Sequence, residues 1–182
     1  MLRTMELELR HWRVEDAAAL GAAVEESLAE LRPWMPWAAG EPRSVADRRE
    51  LIRTWEADRR AGGDEMLGIW VDGHVAGSCG LHRRIGPRGL EIGYWVSTRL
   101  HRRGVATEAA RRLCARAFAD PAIDHVEIHH ATANVASGGV PAKLGFAHVR
   151  DLPRAPEAPG EDGTFRIWRL TREAWERRAA AT

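Results

Sequence analysis

Lysine is almost absent from the chain: Lys143 is the only one among 27 basic side chains, and arginine supplies the rest. A GC-rich codon usage accounts for that choice without invoking a partner. The 26 carboxylates bring the formal charge down to +1, so no general field exists to hold nucleic acid or an anionic membrane. Cysteine is scarce too. Cys79 and Cys114 lie far apart in apolar stretches, lack metal-ligand spacing, and read as buried free thiols of a reducing cytosol. No apolar run approaches the roughly 20 residues that span a bilayer. The opening residues MLRTMELELRHWRVED have no apolar core of the signal-peptide kind. The expectation is a soluble cytoplasmic protein. With no Gly-Lys-Ser/Thr and no GxGxxG, neither a P-loop nucleotide nor a nicotinamide cofactor is indicated.

What is present suits one domain over residues 1–182, with enough chain for a full core and no repeat or dividing linker. Leu7 and Leu9 alternate with charges in a strand at Glu6–Arg10, and a helix follows from Glu15 to Glu30. Pro33-Trp-Met-Pro-Trp37 reads as an apolar loop. Ser44 offers an N-cap for a helix to Arg60, which Gly62-Gly63 stops. Met66–Val71 and His74–Leu81 flank Asp72-Gly73, a hairpin signal, and Leu90–Val96 is a further strand. Gly104–Phe118 carries an apolar stripe of Ala106, Ala110, Leu113, Cys114, Ala117 and Phe118 opposite arginines, and so predicts a helix. His125–His130 is a strand, Ser137–Leu144 a short helix closed by Gly145, and Phe146–Arg150 and Phe165–Leu170 the last strands. Between those two, Pro153–Gly163 has the composition of a mobile loop, and Thr171 is placed to cap a final helix. This order predicts an α/β protein with one mixed sheet and helices on both faces.

Two segments carry chemistry. Leu90–Thr107 is a strand, then a basic turn with Arg99, Arg102, Arg103 and Gly104, then a helix. The first amides of a helix lack internal partners, and with a glycine beside them they suit a phosphate or pyrophosphate. A solvated basic turn before an ordinary helix has the same composition. The second segment is Asn134-Val-Ala-Ser137-Gly-Gly-Val140-Pro-Ala-Lys143-Leu-Gly145-Phe146. It resembles the NxxSxxVxxKLGF pattern of the Rim-type ribosomal-protein N-terminal acetyltransferases, a branch of the GNAT superfamily. Glu91-Ile-Gly-Tyr-Trp-Val96 is similar to that branch's EIGYW strand, His101-Arg-Arg-Gly104-Val-Ala106 to the superfamily's (Q/R)xxGx(G/A) loop, and Trp34-Met-Pro-Trp37 to the WMPW loop. These matches run in the right order over nearly the whole chain.

The resemblance implies a GNAT fold and an acetyl-CoA-dependent N-acetyltransferase. In such enzymes the amine attacks the thioester directly, without an acyl-enzyme. The backbone of Tyr94, Trp95 and Val96 would pair with the pantetheine arm. The amides of Arg102, Arg103, Gly104, Val105, Ala106 and Thr107 would cradle the pyrophosphate, Asn134 would bond the cofactor arm, and Lys143 belongs to the matched cofactor motif. Trp34 and Trp37 would wall the acceptor site. For the base, the resemblance offers Glu91 on its strand, or His129, five positions before Asn134. Ser137 would protonate the departing thiolate, since Pro141 stands where many relatives carry a tyrosine. Pro141 also suggests that its helix starts late.

Three alternatives stay open at this point. His125, Glu127 and His129 share one strand face and have the chemistry of metal ligands, though the reaction implied needs no metal. A relative could use succinyl-CoA, or bind acyl-CoA without turning it over. The acceptor, a peptide N-terminus or a small amine, is not specified, and a homodimer is compatible with the fold.

Overall fold

A computed structural model describes residues 5–180. The strands are β1 (Leu7–His11), β2 (Glu65–Val71), β3 (His74–His82), β4 (Gly89–Val96), β5 (His125–Ala131), β6 (Ala147–Pro153) and β7 (Thr164–Thr171). The helices are α1 (Ala17–Leu31), α2 (Val45–Arg60), α3 (Val105–Phe118), α4 (Val135–Leu144) and α5 (Arg172–Ala180). Among the described residues they form one seven-stranded mixed sheet in the order β1-β2-β3-β4-β5-β7-β6. Element types and their order match the sequence reading throughout; the boundaries move by a few residues.

Local chemistry sets several of these elements. Ser44 Oγ accepts the Asp47 amide at 3.1 Å while Asp47 reaches back to the Ser44 amide, a reciprocal cap that starts α2. Asp72 (φ 49°) and Gly73 (φ 79°) both turn left-handed, the twist a two-residue hairpin needs between β2 and β3. The α3 stripe is buried as its period demands: Ala109, Ala110, Leu113 and Cys114 are fully enclosed against β3 and β4. Both cysteines are buried and free, and burial pushes each thiol up to about 12. On the opposite face α1 and α2 pack over Trp12, Trp70, Val75 and Trp95.

One departure from regular pairing shapes everything that follows. β4 and β5 are parallel partners only at Gly89↔His125, Leu90↔Val126 and Glu91↔Glu127. Beyond that, β4 stays with β3 as far as Val96↔Gly77, and β5 stays with β7 as far as Ala131↔Phe165. Each strand follows its antiparallel neighbour, the stronger pairing, and the parallel seam between them opens. The facing edges of β4 from Ile92 and β5 from Ile128 are left without strand partners.

Two expectations need correction. α4 begins at Val135, not at Ser137, because Asn134 caps it and accepts the Ser137 amide at 3.2 Å. Pro141 therefore does not delay the helix; it sits inside it. The segment expected to be mobile is seated. The Gly160 amide donates to the Pro33 carbonyl at 2.8 Å, Ala158 is buried, and the Arg154 guanidinium lies 4.3 Å from the centroid of the Phe165 ring.

Candidate active site

A cleft of about 620 Å³ occupies the opening between β4 and β5. Its walls include Glu91, Tyr94 and Trp95 from β4, His129 from β5, and Asn134 and Ser137 from the start of α4. Trp34 and Trp37 line it from the loop after α1. Trp37 is the more exposed of the two and tilts against Trp95, with ring centroids 6.2 Å apart. Trp34 meets the seated 154–163 segment at Gly160.

One end of the cleft strand leads to the basic turn. Gly104, at φ 81°, is the N-cap of α3, and the Glu108 amide makes the first intrahelical bond, to the Gly104 carbonyl, at 2.9 Å. The amides of Val105, Ala106 and Thr107 precede that bond and have no intrahelical acceptor. Nothing lies within 4 Å of where a Cβ on Gly104 would project. Arg102 and Arg103 are exposed and carry no ion pair among the described residues. The Val105 side chain is buried in the core, so only its amide is offered. The arrangement fits an anion held by backbone N–H groups at the positive end of a helix. His101 Nε2 meets the Val96 carbonyl at 3.1 Å and ties this turn to the end of β4.

On the face of α1 and α2, period-two spacing brings Glu91, Glu127 and His129 together where the strands part. His129 stands between the two carboxylates: its Nε2 is 2.6 Å from Glu127 Oε2, and its Nδ1 is 3.5 Å from Glu91 Oε2. Each carboxylate is held from behind by an arginine. Arg84 donates twice to Glu91, at 2.8 and 2.6 Å, and Arg169 donates to Glu127 at 2.7 Å. Burial works against the charged form of Glu127, but His129 and Arg169 outweigh it and hold the carboxyl at about 2. His125, on the same strand face, turns instead to Asp124. Of the three side chains with metal-ligand chemistry, Glu127 and His129 pair with each other while His125 pairs with Asp124, and no metal-binding cluster of His, Cys, Asp and Glu occurs among the described residues.

The other wall is built by α4. Asn134 and Ser137 both reach the cleft, with the Asn134 carbonyl oxygen spent on the cap. From β4 the Tyr94 hydroxyl crosses the opening and donates to the Ser137 carbonyl at 3.2 Å, passing 3.5 Å from Ser137 Oγ. Lys143 is exposed in the last turn of α4 and is not part of the cleft lining.

The fold that carries this opening and helix start has counterparts among known proteins. The family described as Acetyltransferase (GNAT) domain matches residues 6–147. The chain belongs to the GNAT acetyltransferases. YdaF of Bacillus subtilis (strain 168), described as a candidate ribosomal N-acetyltransferase, is 27% identical over 171 residues, covering 93% of each chain. Mycobacterium smegmatis RimJ, solved with a CoA disulfide, superposes with a TM-score of 0.84 at 26% identity, over 96% of this chain and 88% of its own. A RimL structure in complex with coenzyme A shares the fold at 20% identity, with a TM-score of 0.84 over 92% and 95% of the two chains.

Within this GNAT cleft the sequence reading named Glu91, His129, Asn134, Ser137, Trp34 and Trp37, and the fold brings all six to one cavity. It missed Arg84 and Arg169, which set the electrostatics of both carboxylates. Nothing local marks either one in a chain this rich in arginine. It also treated Tyr94 as backbone only. The clue was Pro141: a proline inside a helix leaves a carbonyl that some donor must satisfy.

Proposed function

We propose that this enzyme transfers the acetyl group of acetyl-CoA to the free N-terminal amine of a protein, in a complex holding both substrates at once. The observation that carries the reading is the β4–β5 opening, with His129 between two carboxylates on one wall and the Ser137 hydroxyl on the other. The description of YdaF as a ribosomal N-acetyltransferase supports a protein amine as acceptor.

The edge of β4 at Tyr94–Val96, without a strand partner towards β5, offers backbone groups to the amides of pantetheine, although the Val96 carbonyl is already met by His101. The side chain of Asn134 adds a donor, its Nδ2 group. The amides from Arg102 to Thr107 receive the pyrophosphate, with Arg102 and Arg103 adding charge.

An α-amine has an unperturbed pKa of about 7.7–8.0 and must lose a proton to form the amide. His129 takes that proton at Nδ1, directly or through one water. Glu127 on Nε2 fixes the tautomer and stabilises the imidazolium that forms. Glu91, held by Arg84, faces the same Nδ1 and adds negative charge beside it. As the tetrahedral centre collapses, the Ser137 hydroxyl donates to the sulfur. A thiol of pKa about 8.5 leaves with a hydrogen bond rather than full protonation.

The test is thiol release from acetyl-CoA and from succinyl-CoA. Each is run with a peptide carrying a free N-terminus, the same peptide formylated, and a panel of small amines. Release with acetyl-CoA that requires the free N-terminus, with the acetylated peptide found by mass spectrometry, is the expected result. Release driven only by small amines would overturn the acceptor. Preference for succinyl-CoA would overturn the donor.

A further inference from the structure

In an α-helix the amide of residue i serves the carbonyl of residue i−4. Pro141 has no amide hydrogen, so the carbonyl of Ser137, four residues earlier, loses its helical donor. A carbonyl released in this way inside a protein needs another partner. Here the partner comes from a different element: the Tyr94 hydroxyl, on β4, donates to it at 3.2 Å. This bond joins the two walls of the opening where the strands have no ladder between them. It also fixes the one residue whose hydroxyl the proposed reaction needs at the sulfur.

We infer that Tyr94 is a positioning residue for the leaving-group step, acting through Ser137, and that Pro141 is what makes the Ser137 carbonyl available to it. The inference rests on the assignment of Ser137 as donor to the departing thiolate. The Tyr94 oxygen is 3.5 Å from Ser137 Oγ, too far to compete strongly for its proton, so the serine hydroxyl stays free to point into the cleft. Burial pushes the phenol up to about 12, so the bridge keeps its proton across the whole working range of pH. A replacement that restored the helical amide at position 141 would give the Ser137 carbonyl a local donor and release Tyr94. The helix would then gain regularity while the hydroxyl of Ser137 lost its cross-cleft tether.

Five variants test this by steady-state kinetics and thermal melting: Ser137→Ala, Tyr94→Phe, the two combined, Pro141→Ala, and Pro141→Ala with Tyr94→Phe. Tyr94→Phe should lower kcat about three- to tenfold, with the KM for acetyl-CoA within about twofold of the parent. In the Ser137→Ala background the same change should cost nothing further in kcat, because the group it positions is gone. Pro141→Ala should lower kcat about as much as Tyr94→Phe while its melting temperature holds or rises, since a helix interior favours alanine. Adding Tyr94→Phe to it should then have no effect on kcat. A Tyr94→Phe loss of equal size with and without Ser137 would make the tyrosine an independent contributor and overturn the inference. So would full turnover by Pro141→Ala. A slow Ser137→Ala enzyme beside a fully active Tyr94→Phe enzyme defeats the inference alone. A fully active Ser137→Ala enzyme defeats the assignment of Ser137 as well.

Discussion

His129 and Glu91 differ in what their neighbours leave them free to do. Glu91 has both oxygens engaged by Arg84, whereas the His129 ring has one nitrogen fixed by Glu127 and the other at 3.5 Å from its nearest carboxylate. His129→Ala should therefore lower kcat by about 10²-fold or more at unchanged acetyl-CoA affinity, and Glu91→Gln by less. Kinetics on the pair decide it: a dead Glu91→Gln enzyme beside an active His129→Ala enzyme would move the base to Glu91. Glu127 carries a consequence for stability. Its carboxyl is depressed from 4.5 to about 2 in the fold, so its stabilising contribution is complete above about 4.5 and is lost as pH falls toward 2. Glu127→Gln should melt lower than the parent at neutral pH, and the gap should close as the pH drops through that window. A gap that stays constant would show that the pairing with His129 and Arg169 contributes nothing through ionisation.

At the scale of elements, α3 and α4 use their first turns differently. α3 offers three unpaired amides after a left-handed glycine, whereas α4 closes its first turn on its own cap, Asn134. Gly104→Val places a β-branched residue at φ 81° and projects its side chain into the open space before those amides. Acetyl-CoA binding, measured by calorimetry, should weaken by at least about tenfold in a variant that still folds. Unchanged affinity would remove the pyrophosphate from this turn. Both helices were legible in the sequence, α3 from its apolar stripe and α4 from its motif. The start of α4 was not, because the reading let a proline at its seventh position outweigh the asparagine that caps it.

For the molecule as a whole, the cleft has two ends served by different parts of the chain. In the proposed arrangement the cofactor end belongs to β4 and α3, while the Trp34–Trp37 loop and the seated 154–163 segment line the other side of the cleft. A Cβ on Gly160 would come within 2.6 Å of the Pro33 carbonyl and 3.0 Å of the Trp34 ring, so Gly160→Ala must lift that segment off its seat. The KM for the peptide acceptor should rise severalfold while that for acetyl-CoA stays put, a split that steady-state kinetics read directly. A change confined to acetyl-CoA would place this segment at the wrong end. The seat itself could not be read from composition: proline, glycine and acidic residues suggest a solvated loop, and only the arrival of Pro33 beneath it gives the Gly160 amide a partner.

The sequence by itself determined the element order, the apolar faces that build the sheet and its helices, the hairpin at Asp72-Gly73, and the membership of Glu91, His129, Asn134 and Ser137 in one site. The first three are local or periodic, and short-range sterics and burial decide them; the last was implied by the resemblance to the Rim-type acetyltransferases. Tertiary structure alone decided the rest. The parallel seam opens after Glu91 because each strand obeys a different antiparallel neighbour. Arg84 and Arg169 find their carboxylates 7 and 42 residues away in the chain, and Tyr94 meets the carbonyl that Pro141 vacates 43 residues on. These contacts join groups on separate strands or loops, and no spacing along one element encodes a meeting across a cleft.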